Sequence, residues 1–89
     1  MIKNDINTVF EIGEFYMLPH ARWDINDNNG EYYDSVLFLE DLDYECDTVV
    51  LKFKVILSPN YTKFTVGESR HIREGNNYDK LIRLENYKI

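Results

Sequence analysis

VVLKFKVIL, residues 49–57, decides how the chain folds. Leu51, Phe53, Val55 and Leu57 fall on one side of an extended chain, with Lys52 and Lys54 on the other. That period of two is the mark of a strand with one buried face. SVLFLE, residues 35–40, fits beside it. Setting Leu37 opposite Val55 and Leu39 opposite Phe53 gathers the apolar side chains and brings Glu40 opposite Lys52. Downstream, SPNY (58–61) offers Ser and Pro at the first two positions of a turn, and YTKFTV (61–66) returns from it. In that register Phe64 faces Val55 and Val66 faces Phe53. The expected centre is an antiparallel meander of 35–40, 49–57 and 61–66, with Leu37, Leu39, Phe53, Val55, Phe64 and Val66 in its core.

The flanks read in the same way. TVFEIGEFYML, residues 8–18, is a first strand interrupted at Gly13, where a bulge or bend is expected. Asn29-Gly30 is a hairpin turn signal, and an odd-length loop there with a glycine bulge would bury Trp23. DKLIRLENYKI, residues 79–89, suits a last strand or a short helix. Five to six short strands in 89 residues predict a mainly β fold, a small antiparallel barrel or a strongly curved sheet, as a single domain over 1–89. Val36, Phe38 and Ile56 point away from the assigned core. Terminal strands, a second copy or a partner must cover them.

Composition bounds the class. Leu, Ile, Val and Phe make up 27 of the 89 residues, above the level of disordered chains. No charged leader followed by an apolar run and no apolar stretch of membrane-spanning length is present, so the reading has no membrane span. The lone Cys46 cannot form an internal disulfide, which points to a cytoplasmic location. Richness in Asn, Ile, Lys, Tyr and Phe with few Ala, Gly and Pro matches an A/T-rich genome, such as those of many low-GC bacteria and their phages.

Charge is polarised along the chain. The total is −6, but residues 24–47 carry −9 with no Lys or Arg, whereas residues 48–89 carry +4. The acids concentrate in EDLDYECD, residues 40–47. Core parity is odd on both sides of this run, yet its odd positions, Asp41, Asp43, Glu45 and Asp47, are all acidic. The strand is therefore not expected to pass straight through. A loop, or a separate short strand with Leu42, Tyr44 and Cys46 facing inward, should take its place. Three readings follow, in this order: a solvated connection that discourages edge pairing, an acidic face for a partner, and a metal loop.

DINDNNGEYYDS, residues 24–35, superficially matches a calcium loop at Asp24, Asn26 and Asn28. Its glycine falls one place late, and Ser35 replaces the bidentate acid. No metal and no cofactor are expected. His20 and His71 have no ligand spacing with Cys46, and no phosphate loop, nucleophile elbow or zinc-helix motif occurs. The chain therefore reads as not an enzyme. The expected function is protein interaction: a small acidic protein, a nucleic-acid mimic in charge, docks on a basic protein surface that handles nucleic acid. A phage-encoded inhibitor of a host nuclease or defence complex is the concrete form. Asp41, Asp43, Glu45 and Asp47 would steer, and Tyr16, Trp23, Tyr32, Tyr33 and Tyr44 would anchor. One alternative is nucleic-acid or nucleotide binding through Lys52, Lys54, Lys63, Arg70 and Arg73, with Phe38, Tyr61 and Tyr78 as stacking platforms. The other is a homodimer or larger homo-oligomer built on Val36, Phe38 and Ile56.

Overall fold

The alternation at residues 49–57 becomes the second strand from one edge of an open antiparallel sheet. The structure is a computed structural model that describes residues 2–19, 35–58, 64–75 and 77–87. Five strands appear in chain order: β1 (Phe15–Leu18), β2 (Ser35–Glu45), β3 (Thr48–Leu57), β4 (Ser69–Arg73) and β5 (Ile82–Leu84), with a short 3-10 turn at Asn77–Lys80. Across the sheet they run β4-β3-β2-β1-β5. The fold is mainly β, as expected. The sheet is not closed, however: β4 and β5 form its two edges, so the described strands make no barrel.

The central pairing follows the apolar pattern. Leu37 lies opposite Val55 and Leu39 opposite Phe53. The next pair differs from expectation. Asp41, and not Glu40, faces Lys52, because the register shifts by one residue between Leu39 and Asp41. Glu40 is the extra residue of a β-bulge, and it reverses the parity of β2. Before it, Leu37 and Leu39 face the core. After it, Leu42 and Tyr44 take that side, opposite Leu51 and Val49. One bulge thus resolves the parity conflict, and the strand runs on to Glu45 where a loop or detached strand was expected. A two-residue turn at Cys46 and Asp47 closes the hairpin, with φ of 49° and 64°. Positive φ at both central residues matches the right-handed twist of the two strands.

The third strand of the meander is also corrected. Of residues 61–66 the structure describes 64–66, which form no strand; Ser69–Arg73 pairs with β3, with Phe53 opposite Arg70 and Leu51 opposite Ile72. Glu68 N donates to Thr65 O at 3.1 Å, Gly67 N donates to Val55 O at 2.8 Å, and Val55 N donates to Glu68 O at 2.9 Å. Gly67, at φ 91°, makes this turn and bulge feasible. Val66, expected in the core, sits at the tip of the turn and is 58% exposed. Phe64 is half-buried against the core. The SPNY turn and the rest of that expected strand, residues 59–63, lie outside the described residues.

Gly13 plays the same part on the other side of the hairpin. Glu14 N donates to Glu11 O at 3.3 Å, Gly13 N to Leu39 O at 2.9 Å, and Leu39 N to Glu14 O at 3.0 Å. Gly13 has φ 93°. EIGE (11–14) and TVGE (65–68) are thus matching turns, one leading into β1 and the other into β4. The bulge expected at Gly13 is present.

Tyr16, Leu18, Leu37, Leu39, Leu51, Phe53, Val55 and Leu81 are essentially inaccessible and belong to one core cluster. The chain ends are pinned together beside it. Asn4 Nδ2 donates to Tyr78 O at 2.9 Å and to Leu81 O at 3.1 Å. Asn4 Oδ1 accepts from Thr8 N at 2.9 Å, and Thr8 Oγ1 donates to Leu81 O at 2.7 Å. A buried amide with all its groups bonded stabilises the fold, where an orphaned one would cost it. On the other face of the sheet Val36 is 7% exposed. Phe38 packs on Phe15 with ring centroids 5.1 Å apart, and Phe15 on Tyr87 at 4.9 Å. The C-terminal segment thus supplies part of the cover that Phe38 needs.

Candidate interaction surface

Five residues after the start of β2, the outer face of the sheet changes character. β1 spans only Phe15–Leu18 and its pairing with β2 ends at Phe38. Beyond Leu39, which the EIGE turn still bonds, β2 and β3 form an arm that has no strand beside it on the β1 side among the described residues. Three acids, Asp41, Asp43 and Glu45, share the outer face of this arm, as expected of a row at alternate positions. Asp47 does not join them, because it lies in the turn. Cys46, expected to face inward, is exposed there.

The acids are not bare. Asp41 and Asp43 each accept, on Oδ1, a hydrogen bond of 2.8 Å from the next backbone N–H, that of Leu42 and that of Tyr44. Those donors point to the edge that β1 leaves uncovered, so the carboxylates close it. Across the face, Asp41 is in register with Lys52, and Arg73 Nη2 lies 2.9 Å from Glu45 Oε2. Glu40 Oε1 accepts from Ser69 Oγ at 3.2 Å. Acids and bases together frame a shallow groove of about 270 Å³, lined by Asp41, Asp43, Glu45, Val50, Lys52, His71 and Arg73. The surface is therefore of mixed charge, with the acids foremost at the tip.

The expected aromatic anchors divide. Tyr44 is 59% exposed, on the face of the arm opposite Asp41, Asp43 and Glu45. Tyr16 is fully buried, so it packs the core and is no surface anchor. Its hydroxyl donates to Val9 O at 3.0 Å and accepts from Glu11 N at 2.7 Å. Burial, opposed by the bond to Glu11, raises its pKa above the ordinary tyrosine value. Trp23, Tyr32 and Tyr33 lie outside the described residues, as do the 24–34 part of the calcium-like loop and His20.

The basic residues also divide. Lys52, Lys54 and Arg73 share the outer face with the acids. Arg70 is on the opposite face, its guanidinium 4.9 Å from the Phe64 ring centroid and its Nε 3.3 Å from Glu68. Lys63 lies outside the described residues, and so does Tyr61. Of the other two proposed stacking rings, Phe38 is half-buried and Tyr78 is buried. Burial first, then the charge of Glu74, pushes Tyr78 up to about 12. Among the described residues, no group of three or more His, Cys, Asp or Glu is placed to hold a metal ion. Among them too, no helix is long and apolar enough to cross a membrane.

The sequence reading missed β4. Its one signal was the recurrence of a β-branched residue, Gly and Glu at 12–14 and 66–68, which marks the second turn by analogy with the first. No family model, curated protein or solved structure matches this chain.

Proposed function

We propose that the protein is a non-enzymatic interaction module that docks on a basic protein surface through the tip of the β2–β3 arm. The observation that carries this reading is the exposed tip of the arm beyond the reach of β1, with Asp43 and Glu45 on its outer face, Asp47 in the turn and Tyr44, 59% exposed, on the opposite face. An exposed aromatic side chain supplies contact area at little entropic cost, and acids at the same tip raise the rate of encounter with a basic partner. The internal partners of the acids do not remove that field. Asp41 and Asp43 stay exposed while accepting a backbone hydrogen bond. The exposed Glu45–Arg73 pair is worth about 0–1 kcal/mol and exchanges readily. A phage-encoded inhibitor of a host nuclease or defence complex fits this partner chemistry, supported by size, composition and charge.

Pull-down from a low-GC bacterial lysate at low and high salt tests the reading. Capture should weaken with salt. It should weaken again when Asp41, Asp43, Glu45 and Asp47 are replaced together by Asn and Gln, which keep the edge-closing acceptors. Capture that is indifferent to both changes removes the arm as the docking site.

A further inference from the structure

The outward edge of β4 is bare among the described residues. Hydrogen-bonded and non-hydrogen-bonded pairs alternate along an antiparallel ladder. Glu74 N donates to Val49 O at 3.2 Å and Val55 N donates to Glu68 O at 2.9 Å, so the even-numbered residues of β4 aim their backbone at β3. Ser69, His71 and Arg73 aim theirs outward, and all three are exposed. No outward backbone group of these three has a hydrogen-bond partner among the described residues. A depression borders this edge on each face of the sheet. The charged groove lies on the outer face, with His71 and Arg73 in its wall. On the opposite face a second one, of about 240 Å³, is lined by Phe64, Arg70, His71, Ile72 and Asn77. A strand added here sends alternate side chains into the two depressions.

We infer that β4 receives an extended acidic segment of the partner protein, which adds to the sheet as a further strand. This rests on the interaction-module reading and supplies the conformation and charge of the partner's second contact. Within Ser69–Arg73 there are two arginines and no acid. The Arg73 side chain is half exposed and its pair with Glu45 is exchangeable, so an acid on the incoming strand takes its place. On the opposite face the alternate residue meets the depression lined by Phe64, Arg70 and Asn77, where Ile72 is buried. A second copy of the protein is a poor occupant. Antiparallel pairing of β4 with itself about His71 sets Arg73 opposite Ser69 and Arg70 opposite Ile72, so it brings four arginines into one ladder with no acid opposite any of them. The free edge of β2 is closed by Asp41 and Asp43. A partner with a basic surface for the arm and an acidic strand for β4 complements both halves of this polarised chain.

The test uses the full chain labelled with 15N and an end-capped eight-residue peptide of alternating Glu and Val. The same peptide with Lys for Glu is the control. Titration should move the amides of residues 69, 71 and 73 most, and the Lys peptide should bind at least about tenfold more weakly. His71→Pro deletes an outward N–H while leaving the β3 ladder intact, because Lys52 and His71 form a non-hydrogen-bonded pair. It should weaken the Glu peptide at least about tenfold, and His71→Ala, which keeps the N–H, should not. The unchanged amides of Leu37 and Leu39, in the core and away from the substitution, report that the variant is folded. Equal binding to a folded His71→Pro variant, equal binding of the Lys peptide, or a dimer that His71→Pro dissolves would each overturn the inference. Lysate capture separates it from the arm. A partner lost with the arm acids but kept by His71→Pro leaves the arm reading standing and removes this one. Peptide addition at β4 without salt-sensitive capture does the reverse.

Discussion

Two stretches of the sheet, the far end of β2 and the outer side of β4, have no strand beside them among the described residues, and they are finished differently. At the far end of β2, Asp41 and Asp43 turn back onto the N–H groups of Leu42 and Tyr44. At β4, the corresponding groups of Ser69, His71 and Arg73 have no such cover among the described residues. Bare edges invite pairing with other chains, and charged side chains are one way of preventing it. The comparison changes the meaning of the acidic run. Part of its acidity protects an edge, and the part left for docking is its tip. The unprotected edge is the one with a depression on either face.

The largest expected effect tests how firmly the β4 side is held. Tyr78 packs in the core, and Glu74, the residue after β4, adds to the rise of its pKa to about 12. An unfolded tyrosine titrates near 10, so the folded state holds the proton more tightly. Stability from this group is complete below pH 10 and is lost as pH rises toward 12, by roughly 2–3 kcal/mol. Urea unfolding at pH 9 and at pH 11.5 measures the loss, and Tyr78→Phe should remove most of the difference. A wild-type curve flat across that range would mean that β4 and its neighbours are looser than the structure shows.

A smaller effect compares the turns that lead to the two sides. Gly13→Ala and Gly67→Ala meet no neighbouring atom within 4 Å, so their cost is conformational alone. A φ near 90° should make each substitution cost about 1–2 kcal/mol. Equal losses in thermal unfolding are expected. A much smaller loss at Gly67 would show that β4 docks independently of its turn.

The smallest effect on stability is at the protected edge. Replacing Asp41 and Asp43 together by Ala uncovers two exposed N–H groups and should cost at most about 1 kcal/mol. Its signature is self-association, because the edge of β2 becomes as bare as that of β4. Sedimentation velocity should show concentration-dependent dimers that the Asn variants lack. A monomeric Ala variant would mean that these acids do not guard the edge.

How legible this molecule was depended on how local each feature is. The Leu37–Val55 and Leu39–Phe53 register follows from alternation, since a slip by one residue would turn every apolar side chain outward. Gly13 announced its bulge, as few other residues take its φ at low cost. The acidic run announced that parity must change, but not where. A bulge can sit at any of several positions, and packing against Phe53 and Lys52 selected Glu40. β4 was hidden because only Ile72 in it is buried, while YTKFTV nearby has the stronger strand composition.

By itself, then, the sequence determined the β class, the pairing of residues 37–39 with 53–55, and the polarity of charge. Only the tertiary structure decided which edges stay open. β1 pairs along four residues of an eleven-residue β2, leaving the acidic arm beyond it. That length is set by where the core ends and the EIGE turn reverses the chain, and no pattern within β2 encodes it.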